Sequence, residues 1–229
     1  MDRPENYPSI TVLICTLNEE EGLPDILTKI PQWVDEIILV DGHSKDRTVE
    51  IARELCPSIK VLYQPGKGKG DALRHGIKHA DGAIIVTLDA DNATDPKEMP
   101  KFIEPLLAGY DFAKGSRFVR GFPPNKPKHR ILGNLIIIIT FNILFFRRYT
   151  DLCSGYNAFR NNAIKEINLW SPDGFENEPL INVRVRKKGL KVIEVAHTDS
   201  GRLRGEVKES SWRQGFKAIK TIVRERFRG

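Results

Sequence analysis

Val86-Thr87-Leu88-Asp89-Ala90-Asp91 closes an apolar, β-branched run that begins at Ala83. A run with no polar break before Thr87 has the pattern of a strand buried on both faces. It ends in two carboxylates one residue apart. Asn92-Ala93-Thr94-Asp95-Pro96 then reads as a loop and a helix start, with Asp95 as N-cap and Pro96 at the first helical position. Ligands of open α/β sheets bind at the carboxyl ends of strands. Two carboxylates there suit a hard divalent cation, which can in turn hold a diphosphate. Asp-x-Asp is also a common solvated turn, so the pair alone leaves both readings open.

Working outward toward the N-terminus, the same alternation repeats. Ile10–Thr16 is a predicted strand, followed by Leu17-Asn18-Glu19-Glu20-Glu21 and a short helix with Leu23, Ile26, Leu27 and Ile30 on one face. Glu36–Asp41 is a second strand that again closes on an acid. Gly42-His43-Ser44 is a turn, and Ser44 or Asp46 is placed to cap a helix running to about Leu55. Ile59–Tyr63 is a third strand. Gly66-Lys67-Gly68-Lys69-Gly70 opens a helix over Asp71–Ala80; its amides face a phosphate, or the loop is merely solvated. This βαβαβαβ order predicts a Rossmann-like, mostly parallel α/β sheet with right-handed crossovers, and Leu17, Asp41 and Asp89 along one rim.

The chain has 229 residues, enough for one domain with a substantial core. Its three cysteines, Cys15, Cys56 and Cys153, are widely spaced, which argues for reduced thiols and a cytosolic setting. Met1–Pro8 is polar and does not read as a signal peptide. The net charge of +6 points to an anionic partner. The five histidines show no ligand spacing, which favours surface or packing roles for them.

Several motifs occur in one order: Leu17-Asn18-Glu19-Glu20, Val40 through Thr48, Gly68 through Gly76, and Leu88-Asp89-Ala90-Asp91. Together they resemble a family 2 glycosyltransferase of the GT-A fold. Lys114-Gly115-Ser116-Arg117-Phe118, Asp151 through Tyr156, and Arg202 through Lys208 are similar to the polyprenyl-phosphate (dolichyl-phosphate) sugar synthases within it. The resemblance spans about Ser9 to Lys208. It implies a nucleotide-diphosphate sugar (GDP-mannose or a UDP-sugar) as donor, Mg or Mn as cofactor, and polyprenyl or dolichyl phosphate as acceptor. It puts Asn18 and Glu19, with Cys15 where the family usually has proline, against base and ribose, and Asp41 on the base. Asp89, Ala90 and Asp91 meet the nucleotide sugar, with Asp89 and Asp91 on the metal. Arg117 and Lys208 contact the donor. Arg117, Arg130, Arg202 and Lys208 hold the acceptor phosphate, and Asp91, Arg117 and Arg202 carry catalysis. Two departures stand out. Gly42 replaces a second acid at the end of the second strand. Ala93 replaces a glutamine metal ligand, whose part Asn92 or water would take.

Asp111–Lys114 is a further predicted strand. Past Gly121-Phe122-Pro123-Pro124, the basic Lys126, Lys128, His129 and Arg130 precede Ile131–Phe146, sixteen largely apolar residues closed by Arg147 and Arg148. As a helix the run is about 24 Å long at about 1.5 Å per residue, short of a hydrocarbon layer about 30 Å thick. It reads as a membrane-interface segment or as a buried core helix. Lys191–Val195 is a last strand. From Arg202 onward the chain carries nine basic and three acidic residues. Trp212, Phe216, Ile219, Val223 and Phe227 make one apolar stripe, away from Arg213, Lys217, Lys220 and Arg224. Residues 212–229 thus form a basic amphipathic helix behind a catalytic domain over 1–211.

The expected activity is inverting hexose transfer to a lipid-linked phosphate by an enzyme peripheral to the cytoplasmic membrane face. A membrane-protein partner is an alternative cover for the apolar segments. A phosphate acceptor, with a second pKa near about 6, needs no general base, so Glu176 and Glu178 carry less weight than in transfer to a sugar hydroxyl. Such transfer, on a glycan or glycolipid, is the enzymatic alternative. A silent membrane-associated nucleotide-sugar-binding protein is the non-enzymatic one, and the intact Asp89/Asp91 pair weighs against it. The basic tail contains no recognised nucleic-acid module, so no nucleic acid is expected as partner.

Overall fold

The computed structural model describes residues 3–119, 121, 128–169, 177–200 and 211–228. Its centre is a seven-stranded sheet of β1 (Ile10–Thr16), β2 (Glu36–Asp41), β3 (Lys60–Tyr63), β4 (Ile84–Asp89), β5 (Phe112–Ser116), β6 (Asn157–Arg160) and β7 (Val192–Ala196), ordered β3-β2-β1-β4-β6-β5-β7. Every pairing is parallel except those of β6, which runs against both β4 and β5. The helices are α1 (Leu23–Leu27), α2 (Thr48–Leu55), α3 (Lys69–His79), α4 (Pro100–Leu107), α5 (Lys128–Phe145), α6 (Asn161–Lys165), α7 (Asn177–Lys187) and α8 (Ser211–Phe227).

Strand alternation sorts the apolar side chains into two layers. Val12, Ile14, Leu39, Val86 and Leu88 meet Leu23 and Ile26 of α1 and Phe102, Ile103 and Leu106 of α4. Leu13, Ile38, Val40 and Ile85 point the other way, onto Ala72, Leu73 and Ile77 of α3 and Ile181 and Val185 of α7. The sheet is therefore covered on both faces, which is why its central strands read as continuous apolar runs. Helix α3 lies so close that a methyl group on Gly76 would come within 2.2 Å of Leu13 Cδ1.

The β1–β4 edge is where the strand order reverses. Connections from β1 lead outward to β2 and β3 on one side, while β4 opens the other side. Register puts Cys15 beside Asp89 and Thr16 beside Asp41. The carboxylates thus stand at the switch point, where open α/β sheets bind ligands.

A third apolar cluster joins α5 and α8 to the domain: Ile137, Ile138, Phe141 and Phe145 of α5 meet Ala218 and Ile222 of α8, Val183 of α7, and Phe118 and Leu152. Helix α5 is apolar all round, and only one side is used this way. Leu132, Leu135, Ile136, Ile139, Ile143 and Phe146 remain exposed along the other. The buried-core reading describes one face of this run; the other is exposed and apolar. Helix α8 buries Ala218 and Ile222 against α5 and leaves Phe216, Val223 and Phe227 of its apolar stripe exposed. Among the described residues, no helix is long and apolar enough to cross a membrane.

This division has a measurable consequence. Phe141 is fully buried and Ile143 is 65% exposed. Phe141→Ala is expected to cost about 3–5 kcal/mol, and Ile143→Ala no more than about 0.5 kcal/mol. Urea unfolding in detergent-free buffer checks the contrast, and equal losses would mean that both faces are packed.

Candidate active site

The loops after β1 and β2 are stitched to each other. Asp41 accepts the Ser44 N–H at 2.8 Å and hydroxyl at 2.5 Å, and the Thr16 hydroxyl at 3.3 Å. It is almost fully buried, and its carboxylate shapes the 42–44 turn, in which His43 has φ +63°. Asn18, also left-handed at φ +51°, accepts the Lys45 N–H through its side chain and donates its own N–H to Ser44 Oγ, both at 2.8 Å. Glu19 N–H donates to Thr48 Oγ1 at 2.8 Å. Asp46 accepts N–H bonds from Thr48 and Glu20. Of the two expected caps for α2, Asp46 therefore serves its first turn, while Ser44 belongs to Asp41. The packing at Gly42 is tight: a Cβ there would approach the Thr16 carbonyl oxygen to 3.2 Å.

Asp89, at the end of β4, is held on two sides. Lys69 Nζ donates to its Oδ1 at 2.6 Å and also meets Glu178 Oε1 at 2.6 Å. A Cβ on Gly155 would fall 2.1 Å from Asp89 Oδ2, so only glycine allows the backbone to approach there. Burial lowers the proton affinity of the Lys69 ammonium, but the charges and hydrogen bonds of Asp89 and Glu178 outweigh it and hold the group well above lysine's usual range. Burial pushes the neighbouring Cys15 thiol up to about 12, keeping it neutral.

Asp91 Oδ1 accepts the Ala93 N–H at 3.2 Å, closing the turn after the strand. Asn92 has φ +57°. Its amide donates to Asp25 at 2.8 Å and accepts from Lys29 at 3.3 Å. That commitment to the α1 side removes Asn92 as the replacement for the missing glutamine ligand. Among the described residues, no three His, Cys, Asp or Glu side chains converge to hold a metal. Two carboxylates without a third fit an ion such as Mg or Mn that takes its other ligands from substrate phosphates and water. Asp89 and Asp91 would hold it.

The glycine-lysine loop is closed by its own helix. Gly66 N–H donates to Asp71 at 2.6 Å, and Asp71 pairs with Arg74. That amide is thus unavailable to a phosphate. Lys69, paired with Asp89 and Glu178, is a rim residue that the sequence reading did not single out. Its only signal was its place at the opening of a helix whose N-terminus reaches the rim.

Arg117 follows β5 and makes a two-pronged pair with Asp151, Nε–Oδ2 at 2.6 Å and Nη2–Oδ1 at 3.0 Å; Nη1 faces Asp199 at 3.7 Å. Burial opposes both charges, but each holds the other: Asp151 lies well below the usual carboxylate range and Arg117 above its own. The segment carrying Asp151 is pinned from β7, where Glu194 accepts the Thr150 and Asp151 N–H groups at 2.9 and 3.1 Å. Lys114, buried beneath, lies 3.9 Å from Glu194. His197 is turned by its Nδ1, which donates to the Thr198 carbonyl at 3.0 Å, so its Nε2 accepts from Ser154 Oγ at 2.9 Å. Burial lowers its proton affinity, in keeping with this neutral packing role. Beyond it, Ser200 N–H reaches Ala93 O at 3.0 Å, joining this segment to the Asp91 turn.

The structure therefore gathers Cys15, Asn18, Glu19, Asp41, Asp89, Ala90 and Asp91 along the rim. Arg117 stands on the β5 side, paired with Asp151. Arg202, Lys208 and Glu176 lie outside the described residues, as does the side chain of Arg130, whose backbone is in the first turn of α5.

The Arg117–Asp151 pair predicts an acid response. A carboxylate whose folded pKa is depressed adds stability in full above its unfolded value of about 3.9. That stability is lost as pH falls toward the folded value. Asp151→Asn is expected to lower stability at pH 7 by about 3–5 kcal/mol, because it strands a buried guanidinium, and to make the loss below about pH 4 shallower. Urea midpoints between neutral and acid pH measure both, and an unchanged acid limb would count against the pair.

Residues 11–167 match the family described as glycosyl transferase family 2. A dolichol-phosphate mannosyltransferase of Pyrococcus furiosus is 35% identical over 87% of the chain, which spans 58% of that protein's length. A dolichyl-phosphate hexose transferase of Haloferax volcanii is 27% identical over 95% of the chain and 94% of its own. The crystal structure of glucosyl-3-phosphoglycerate synthase from Mycobacterium tuberculosis, in complex with Mn2+, UDP-glucose and phosphoglyceric acid, superposes with a TM-score of 0.77 at 21% identity. The match covers 96% of this chain and 80% of that one. The seven-stranded mixed sheet is thus the GT-A fold, and the chain belongs to glycosyl transferase family 2.

Proposed function

We propose that the chain transfers a hexose from a nucleotide-diphosphate sugar to a polyprenyl or dolichyl phosphate, with inversion, as a peripheral enzyme on the cytoplasmic membrane face. The observation that carries the lipid acceptor is the position of α5. Its buried face packs on Phe118 and Leu152, the chain neighbours of Arg117 and Asp151. Its other face is exposed and apolar. Asn142 bonds both the N–H and the carbonyl of Tyr149 at 2.8 Å, tying α5 to the segment that carries Asp151. An apolar surface would then lie beside the Arg117–Asp151 pair. The names of the two archaeal relatives support the same acceptor class.

Asp89 and Asp91 would hold Mg or Mn, which when bound supplies positive charge for the departing diphosphate. The stitched loops after β1 and β2 would seat the nucleoside. Arg117, fixed by Asp151, would orient the acceptor phosphate in line with the anomeric carbon. An acceptor oxygen forms the new bond to that carbon, the bond to the diphosphate oxygen breaks, and the nucleoside diphosphate leaves. Glu178 is engaged by the Lys69 ammonium, which favours an acceptor that is already ionised and needs no general base.

Turnover with UDP- and GDP-hexoses against polyprenyl phosphate, phosphoglycerate and simple glycosides tests the reading. Polyprenyl phosphate is the expected acceptor. Asp91→Asn or a chelator should lower kcat by roughly 10²–10³-fold or more, while Glu178→Gln should retain most of the turnover on a phosphate acceptor. Transfer only to glycosides, with loss in Glu178→Gln, would favour the hydroxyl-acceptor alternative.

Attachment is a separate expectation. Full-length protein should float with anionic liposomes, less so in high salt as screening removes the contribution of the basic residues. Ile143→Glu should weaken flotation without unfolding the protein. If wild type does not float under either condition, the apolar faces belong to a protein partner.

A further inference from the structure

We infer that Lys69 is an internal stand-in for the divalent ion: it neutralises Asp89 before substrate arrives and must release it on loading, so that metal is taken up together with the nucleoside diphosphate and not alone. The inference rests on reading the rim as a metal–diphosphate site.

The geometry leaves one oxygen in dispute. Lys69 Nζ sits 2.6 Å from Asp89 Oδ1, about the distance at which a divalent ion binds carboxylate oxygen, about 2.0–2.6 Å. Ammonium and ion cannot share that place, and side by side they would repel. Asp89 cannot simply turn away, because the Gly155 backbone closes on Oδ2. The movable partner is Lys69, on a flexible four-carbon stem with 32% of its side chain open to solvent. Glu178, 2.6 Å from the same ammonium, keeps it near the rim after release.

Without nucleotide, the ion would have to break the Lys69–Asp89 bond and stand beside a displaced cation. A diphosphate changes both conditions. It brings ligands for the ion and negative charge for the released ammonium, at the opening of α3, where backbone N–H groups also favour phosphate. Metal and nucleotide are therefore coupled through Lys69, and by linkage each strengthens the other's binding equally.

The test is Mn2+ binding, followed by the electron paramagnetic resonance of free Mn2+, for wild type, Lys69→Met, Lys69→Gln and Lys69→Arg, each alone and with UDP or GDP. Wild type should bind Mn2+ weakly alone and at least about tenfold more tightly with one of the nucleotides. Lys69→Met and Lys69→Gln, checked for folding by thermal melts, should bind Mn2+ alone about tenfold more tightly than wild type and lose most of the coupling. Lys69→Arg should keep it. Mn2+ binding that depends on Asp91, judged with Asp91→Asn, but is the same or weaker in both neutral Lys69 variants would overturn the inference and leave the metal site standing. No Mn2+ binding to wild type with either nucleotide would overturn both.

Discussion

The parallel pairing of β1 with β4 fixes where the carboxylates stand. Both strands are buried on both faces, so their register is set by apolar packing and admits no slip: a shift of one residue would turn Leu13 and Ile85 into the layer of Val12 and Val86. With that register locked, Asp89 must emerge beside Cys15. The strand order reverses at the same edge, where the topology of open α/β sheets leaves a crevice. The backbone that carries the rim acids is thus positioned by apolar packing.

Charge is handled differently on the two sides of that crevice. On the β5 side, Arg117, Asp151, Glu194 and Lys114 are paired within a largely buried network. Such pairs add little net stability but specify one geometry, since either partner left alone is costly. That network fixes the segment whose Gly155 closes on Asp89. On the β4 side the Lys69 bridge is partly open to water and joins groups from α3, β4 and α7. The first arrangement suits a fixed wall, and the second suits a place where charges exchange partners.

Much of this was legible in the sequence, for identifiable reasons. The bounds of β1 and β2 follow from continuous apolar runs that end at polar loops, and such runs permit few alternatives. Strand β6 was not legible: Asn157–Arg160 is four residues long, and its identity as a strand comes from pairing with Ile84–Thr87 about seventy positions away. Helix α4 carries Pro105 in its interior, which argues locally against a helix; Phe102, Ile103 and Leu106 hold it by packing. The acids were visible but not their partners. Asp41 is consumed by the turn it starts. Lys69 gains its role from Glu178, more than a hundred residues away, a proximity that no local pattern encodes.

Helix α5 shows why a two-sided apolar pattern resists a single reading. A helix that only packed on the domain would be polar on its outer side, and one that only lay on a surface would be polar on its inner side. Here Phe141 and Ile138 serve the core while Ile139 and Ile143 face outward, so the periodicity vanishes. Exposed apolar surface of this continuity marks an interaction site more often than it marks chance. Its neighbour α8 adds Phe216 and Phe227, 72% and 78% exposed, on a helix rich in arginine and lysine. A partner that satisfies both is apolar within and anionic at its surface, which describes a lipid leaflet better than it describes most proteins. Because α5 also packs beside Arg117 through Phe118, a leaflet held against that face would deliver a lipid-linked phosphate to the crevice without lifting its chain into water.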